Sequence, residues 1–217
     1  VTFARAASPD GPFDSLVLGV TVSDPDGALL ASRDMNAAAT SCGGGCDAKA
    51  LNAAAATRVR FGRLRVGNAL GSPPVALPVP LTVEYWNGVG FATNALDSCT
   101  RLTNTQIAFG NFRSPLAACL TSGTPTGSNG VVFSSGRGNF KLSRPAVRGS
   151  VDLTVQLGAT ATGNSCSGGA SVTATAASQT WLRGNWGATT YDRNPAGRAV
   201  FGVHSNSSDV IFLRESY

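Results

Sequence analysis

The sequence predicts an all-β protein, an antiparallel β-sandwich of roughly ten to fourteen short strands with little helix, built as one large sandwich or two abutting ones. Three observations carry the prediction. Apolar and polar residues alternate with period two in short runs, which puts one face of each strand in a core and the other in water. Gly, Pro, Asn and Ser punctuate the runs, and Gly alone supplies 26 of the 217 residues. Helical patterning is confined to residues 47–56 (DAKALNAAAA), where alanine propensity supports two or three turns but no wide apolar stripe exists.

In chain order, residues 12–20 (PFDSLVLGV) open with a strand. Asp24-Pro-Asp26-Gly27 resembles the start of a calcium loop, but its twelfth position is Met35 rather than Glu, so it reads as a hairpin turn between Val20 and Leu30. From 57 to 66, Val59 and Phe61 share one parity with Arg58 and Arg60 on the other. After Gly62 the phase inverts, with Leu64 and Val66 opposite Arg63 and Arg65. A β-bulge at Gly62 would keep all four arginines on one face. Residues 71–80 read as a Pro-rich extended crossover. Leu81, Val83 and Tyr85 then alternate with Thr82, Glu84 and Trp86 up to Asn87-Gly88, the strongest short hairpin signal. Residues 103–112 form a strand and turn, and 123–130 (GTPTGSNG) a flexible loop. Val151, Leu153, Val155 and Leu157 mark the clearest half-buried strand, with Asp152, Thr154 and Gln156 on its wet face. A final hairpin joins 198–204 to 210–214, whose second arm, apolar on both faces, is expected to be central. The length suits one large β domain or two small ones. With no linker or repeat, the chain reads as a single domain over 1–217, its internal boundary not legible.

Composition narrows function. Charged residues make up 13% of the chain, about half the usual share. The 17 basic residues, 15 of them Arg, outnumber 12 acidic ones and give +5. The charge is spread without a dense basic block, and no nucleic-acid motif occurs, so no nucleic-acid partner is expected. The longest apolar run, 16–22, is seven residues, far short of a membrane-spanning helix. A single histidine, His204, rules out multi-histidine metal sites. A Ser–His–Asp set could use only His204 with Ser207 and Asp209, all within one hairpin, and no G-x-S-x-G turn exists. The only glutamates, Glu84 and Glu215, lack the context of a glycosidase acid or base. No enzymatic activity, metal or cofactor is expected.

Five cysteines suit an oxidising compartment and leave one without an intrachain partner. Cys42-Gly-Gly-Gly-Cys46 can close a small disulfide ring, and Cys99 and Cys119 flank a strand and turn and form a second candidate bridge. Cys166, in a loop-like Asn-Ser-Cys-Ser-Gly-Gly, is the candidate free or intermolecular thiol. Five cysteines allow 15 ways to draw two bridges, and the sequence does not choose among them. Zinc would need two ligands besides Cys42 and Cys46, and no second close pair exists. Two weaker binding surfaces stand out. The stripe Arg58, Arg60, Arg63 and Arg65 suits an anionic partner, although such a stripe is more often a solvated, charge-guarded edge. Trp86, Trp181 and Trp186 suit stacking on sugars, although such rings more often pack a sheet.

The runs 60–72 (RFGRLRVGNALGS), 77–87 (LPVPLTVEYWN) and 94–100 (NALDSCT), with 181–186 (WLRGNW), 198–203 (RAVFGV) and 212–217 (FLRESY), resemble the C-terminal region of MshQ-like proteins. That family is associated with biogenesis of the mannose-sensitive haemagglutinin type IV pilus of Gram-negative bacteria. The resemblance runs through nearly the whole chain and brings no established activity for the domain. It implies a secreted or surface-exposed location, with Tyr217 as the family's natural end and Val1 as a cut or the start of an unusual short form. The expected function is a structural or adhesin-like module of a pilus or extracellular filament. Its partners would be further copies of itself or other pilus components, with residues 1–13 as a strand donated to the next subunit. The alternative is a carbohydrate-binding module using the tryptophans on a surface glycan.

Overall fold

The structure, a computed structural model, describes residues 4–16, 19–21, 25–27, 48–50, 57–124 and 130–202. Its contacts divide the chain into two units, one holding residues up to Phe61 with Tyr85–Phe91, the other Gly62–Glu84 and the chain from Ala92 onward.

In the first unit, β1 (Phe13–Leu16) pairs with β4 (Thr57–Val59), and β2 (Gly19–Thr21) pairs with β3 (Ala48–Ala50), both antiparallel. Residues 48–50 are therefore strand, not helix: cross-strand pairing to Gly19–Thr21 overrides alanine propensity, which is worth only tenths of a kcal/mol per residue. Leu30, the far arm of the turn at Asp24–Gly27, lies outside the described residues.

The second unit contains two larger sheets. Its strands are β5 (Gly62–Val66), β6 (Ala69–Gly71), β7 (Leu77–Trp86), β8 (Phe91–Thr93), β9 (Arg101–Leu102), β10 (Ile107–Arg113), β11 (Gly123–Thr124), β12 (Val131–Val132), β13 (Arg137–Leu142), β14 (Gly149–Val155), β15 (Asn164–Ser167), β16 (Ala170–Thr173) and β17 (Ala196–Phe201). The last two residues of β7 and the first of β8 fall in the first unit. One sheet has the order β16-β15-β10-β14-β17-β6, the other β11-β13-β7-β5, with β8 added to β7. The all-β sandwich expectation holds. One pair departs from antiparallel: β17 runs parallel to β6.

The inner faces of the sheets meet in one core. Val79 and Leu81 of β7 and Phe140 and Leu142 of β13 come from the five-stranded sheet, and Ile107, Val151, Leu153, Ala199 and Phe201 from the six-stranded sheet. The rings of Phe109 and Phe140, 6.3 Å apart, join the two layers. Alternation supplies these residues as read: Val151, Leu153, Val155 and Leu157 are all buried, and Asp152 and Thr154 are not. Burying each such side chain contributes on the order of 2 kcal/mol.

Residues 77–80, expected in a crossover, are the first turn-free part of β7, so Pro78 and Pro80 sit inside a strand. Proline has no N–H for a ladder, and the topology removes the cost. The Pro80 carbonyl accepts from Gly67 N at 2.8 Å, so the Pro80 and Pro78 nitrogens point the same way, toward the β5 side. There the neighbouring chain leaves at Gly67 and Asn68 to become β6 of the other sheet. The prolines thus lack donors only on that side, where β5 has ended, while the ladder to β13 continues on the other side from Thr82 to Leu77.

The Asn87-Gly88 hairpin forms between β7 and β8. Asn87 N donates to Gly90 O at 2.9 Å, its Oδ1 accepts from Val89 N and Gly90 N, and Gly88 takes φ +97°, where a Cβ is disfavoured. The parity inversion at 57–66 is real but has another cause than a bulge. β4 ends at Val59 and β5 begins at Gly62, pairing with different strands in different sheets, so the inversion marks a strand break. In residues 123–130 the start is strand β11, and 125–129 lie outside the described residues, as does the second arm of the C-terminal hairpin.

Candidate functional site

Of the four arginines, Arg58 and Arg60 belong to the first unit and Arg63 and Arg65 to the second. Arg58 is exposed. Arg60 donates from Nε and Nη2 to Asp14 Oδ1 at 3.0 and 2.7 Å, and its guanidinium stacks 4.2 Å above the Tyr85 ring. Arg63 Nε donates to Glu84 Oε2 at 2.7 Å, and Arg65 Nη1 lies 3.7 Å from Glu84 Oε1. Three of the four thus carry internal acidic partners.

Glu84, expected on the outward face of its strand, is 7% exposed. The reason is a cover that period-two alternation cannot report. The segment 180–194 begins with a 3₁₀ turn, Thr180–Leu182, whose buried Leu182 lies against β5: a Cβ on Gly62 would meet Leu182 Cδ2 at 3.3 Å. The Arg63 guanidinium sits 4.9 Å from the Trp186 ring centroid, so one cation is shared between a carboxylate and an aromatic face. Trp186 takes φ +36°, and its ring occupies the space where any side chain at Gly184 would stand. Its buried Nε1 has no hydrogen-bond partner.

The same cover buries Gln156, which alternation had assigned to water. Gln156 Oε1 accepts from Asn194 Nδ2 at 3.1 Å and from the Thr162 hydroxyl. Asn194 Oδ1 in turn accepts from Leu157 N at 3.1 Å and Arg183 Nε at 3.3 Å. This polar network fastens the 183–194 segment to the end of β14, and each bond satisfies a group whose burial is otherwise costly.

Trp86, in the first unit, packs edge-on against Phe91 with centroids 5.4 Å apart. Trp181, in the second, is 56% exposed. Trp186 is partly buried.

On the outer face of the six-stranded sheet, Arg198 Nε and Nη2 bond Asp152 Oδ1 and Oδ2 at 2.6 and 3.0 Å, and Asn111 Nδ2 donates to Oδ2 at 3.0 Å. The Arg198 hydrogen bond is the main cause holding the Asp152 carboxyl below its usual value. The carboxylates of Asp97 and Asp192 are used locally, Asp97 accepting from Cys99 N, Thr100 N and the Thr100 hydroxyl, and Asp192 from the Thr190 hydroxyl. Among the described residues no three His, Cys, Asp or Glu side chains group closely enough to hold a metal. His204 and Glu215 lie outside the described residues, and no described helix is long and apolar enough to cross a membrane.

The cysteine assignment is corrected. Cys166 is bonded to Cys119, with a Cα–Cα distance of 5.2 Å, and Cys99 is exposed and free. The Cys99–Cys119 candidate bridge and the free Cys166 are both replaced. Cys166 is in strand β15 rather than a loop, and its side chain is 3% exposed and part of the core. Strand pairing folds a residue 47 positions away onto Cys119, a proximity that local spacing cannot encode. Cys42 and Cys46 lie outside the described residues.

No curated protein and no solved structure matches this chain. One family model does, described as DUF6701, fourth domain, over residues 60–216. The match begins two residues before the second unit does, so the two-sheet body described above is the matched domain. The chain belongs to the DUF6701 family, whose fourth domain it carries.

Proposed function

We propose that the domain is a non-catalytic structural module of a secreted or cell-surface protein in a Gram-negative bacterium, associated with a pilus or extracellular filament. The single observation that carries this reading is how the described carboxylates are used. Asp14, Glu84 and Asp152 are matched to arginines, Asp97 caps a turn, and Asp192 accepts from the Thr190 hydroxyl, so these five acidic groups serve the framework. The Cys119–Cys166 disulfide suits an oxidising compartment. The description "fourth domain" supports a place among other modules, and the resemblance to MshQ-like proteins supports the pilus association. Of the expected donor strand 1–13, the described residues 4–13 have partners in their own unit, which does not favour donation. Arg5 stacks 4.0 Å over Phe61, and Phe13 pairs with Val59 of the same unit.

Surface labelling of intact cells expressing the full protein, with immunogold localisation, tests the reading. Labelled protein outside the cell on filaments is expected; a protein confined to the cytoplasm would contradict it. A second reading, carbohydrate binding, is favoured by the exposed Trp181 ring alone. Glycan-array binding that is lost in Trp181→Ala would support it, and an array without signal would remove it.

A further inference from the structure

Among the described residues, the strand orders of the two larger sheets end on four strands, and three of these are protected. β5 carries Arg63 and Arg65 and lies under Leu182, and a side chain at Gly197 of β17 would collide with Val66 and the Gly67 carbonyl. β11 is two residues long. β6 is three residues, followed at once by Ser72-Pro73-Pro74. Charge, brevity and proline are the usual protections of an exposed strand edge.

β16, at four residues, is longer than β6 and β11 and carries neither charge nor proline. It is the outermost strand of the six-stranded sheet, and Ala170, Ser171, Val172 and Thr173 are all exposed. Among the described residues no strand pairs with its outer side. The sequence from 153 to 182 holds no Asp, Glu, Lys, Arg or Pro, in a chain whose net charge is +5. Two such molecules repel through most of their surface and least through this stretch.

The edge is also pre-organised. Gly168 and Gly169 take φ +59° and +83°, the two positive values of a two-residue hairpin turn, with Ser167 opposite Ala170. Pairs alternate from the turn, so Ser167/Ala170 and Ser165/Val172 exchange hydrogen bonds within the hairpin. The Ala174 amide bonding Gly163 O at 3.3 Å continues that alternation. Ser171 and Thr173 therefore turn their N–H and C=O outward. Behind them the hairpin is fastened by the Cys166–Cys119 bridge and by Ser165 Oγ on Asn104 O.

We infer that β16 is a self-association edge, where a second copy of this chain adds its own β16 antiparallel about a two-fold axis. A register centred on Val172 sets Ser171 opposite the second copy's Thr173, forms about four new backbone hydrogen bonds and brings no charge into contact. A four-residue strand contact falls short of the roughly 1,200 Å² of a stable interface, so the dimer is expected to be weak and concentration-dependent. The inference rests on the reading of the domain as a module that works through its surfaces, and supplies one such surface.

Sedimentation equilibrium of the 217-residue chain over a wide concentration range tests it. The expected result is a weight-average mass that rises with concentration, more steeply when added salt screens the positive charge. Ser171→Lys, at an exposed position, and Thr173→Pro, which removes an outward N–H, are each expected to weaken association at least about 10-fold. Arg65→Ala, on the covered edge, is expected to leave it unchanged. A chain that stays monomeric throughout, or two edge variants that associate like the parent, would overturn the edge assignment. The surface reading would stand, since cell labelling tests it separately.

Discussion

β5 and β16 are both outermost strands of the same unit, and they are finished in opposite ways. β5 presents Arg63 and Arg65, ties them to a buried Glu84 and is roofed by Leu182 and Trp186. β16 presents alanine, serine, valine and threonine with open backbone on its outer side. The first edge ties its charges to an internal carboxylate and lies under a covering segment. The second is stiffened from behind and left bare in front. The difference teaches that charge is not evenly spread: Arg63 and Arg65 sit where an edge is closed, and the uncharged stretch 153–182 includes the edge that is open.

The largest way to break this comparison is to remove the stiffening. Cys166→Ser, paired with Cys119→Ser so that neither half of the bridge is left as a thiol, opens a loop of 47 residues. In the loop-entropy account that costs about 4 kcal/mol. Denaturant unfolding is expected to show this loss, with the amides bonded within the β15–β16 hairpin, Ala170 and Val172 among them, losing hydrogen-exchange protection first. Equal stability with and without the bridge would show that β15 and β16 need no fastening.

The next effect attacks the closed edge. Glu84→Gln leaves the partly buried Arg63 without its carboxylate and is expected to cost about 2–3 kcal/mol. Thermal unfolding checks the stability, and loss of Trp186 fluorescence anisotropy checks that the roof loosens. The smallest effect calibrates the other two, because it touches the middle of the six-stranded sheet and neither edge. Asp152 has its folded-state pKa lowered by Arg198, so its contribution is complete above the ordinary carboxylate range and is lost as pH falls through the lowered value. The pair is partly exposed, so Asp152→Asn is expected to cost less than about 1 kcal/mol at neutral pH and to flatten the acid limb of the stability curve. A pH titration of unfolding midpoints for parent and variant measures both.

The core strands and one hairpin were legible because their information is local. Val151 to Leu157 and Leu81 to Val83 alternate as their burial does, and Asn87-Gly88 makes its turn from its own backbone preferences. What was not legible depends on a distant segment. Glu84 and Gln156 obey the strand period and still end up buried, because residues 180–194 lie over them. Cys166 reads as loop from its glycine neighbours, yet those glycines form the tight turn beyond a buried strand. The parity inversion at Gly62 was visible, but only pairing distinguishes a bulge from a change of sheet. The open edge itself is written in the sequence as an absence of charge, and it gains meaning once β16 is known to be outermost.

The most direct test of the open edge is amide hydrogen exchange at Ser171 and Thr173 as a function of protein concentration. Protection of these two amides is expected to rise with concentration, while those of Ala170 and Val172, bonded within the hairpin, stay constant. Fast exchange at Ser171 and Thr173 that is independent of concentration would contradict the account.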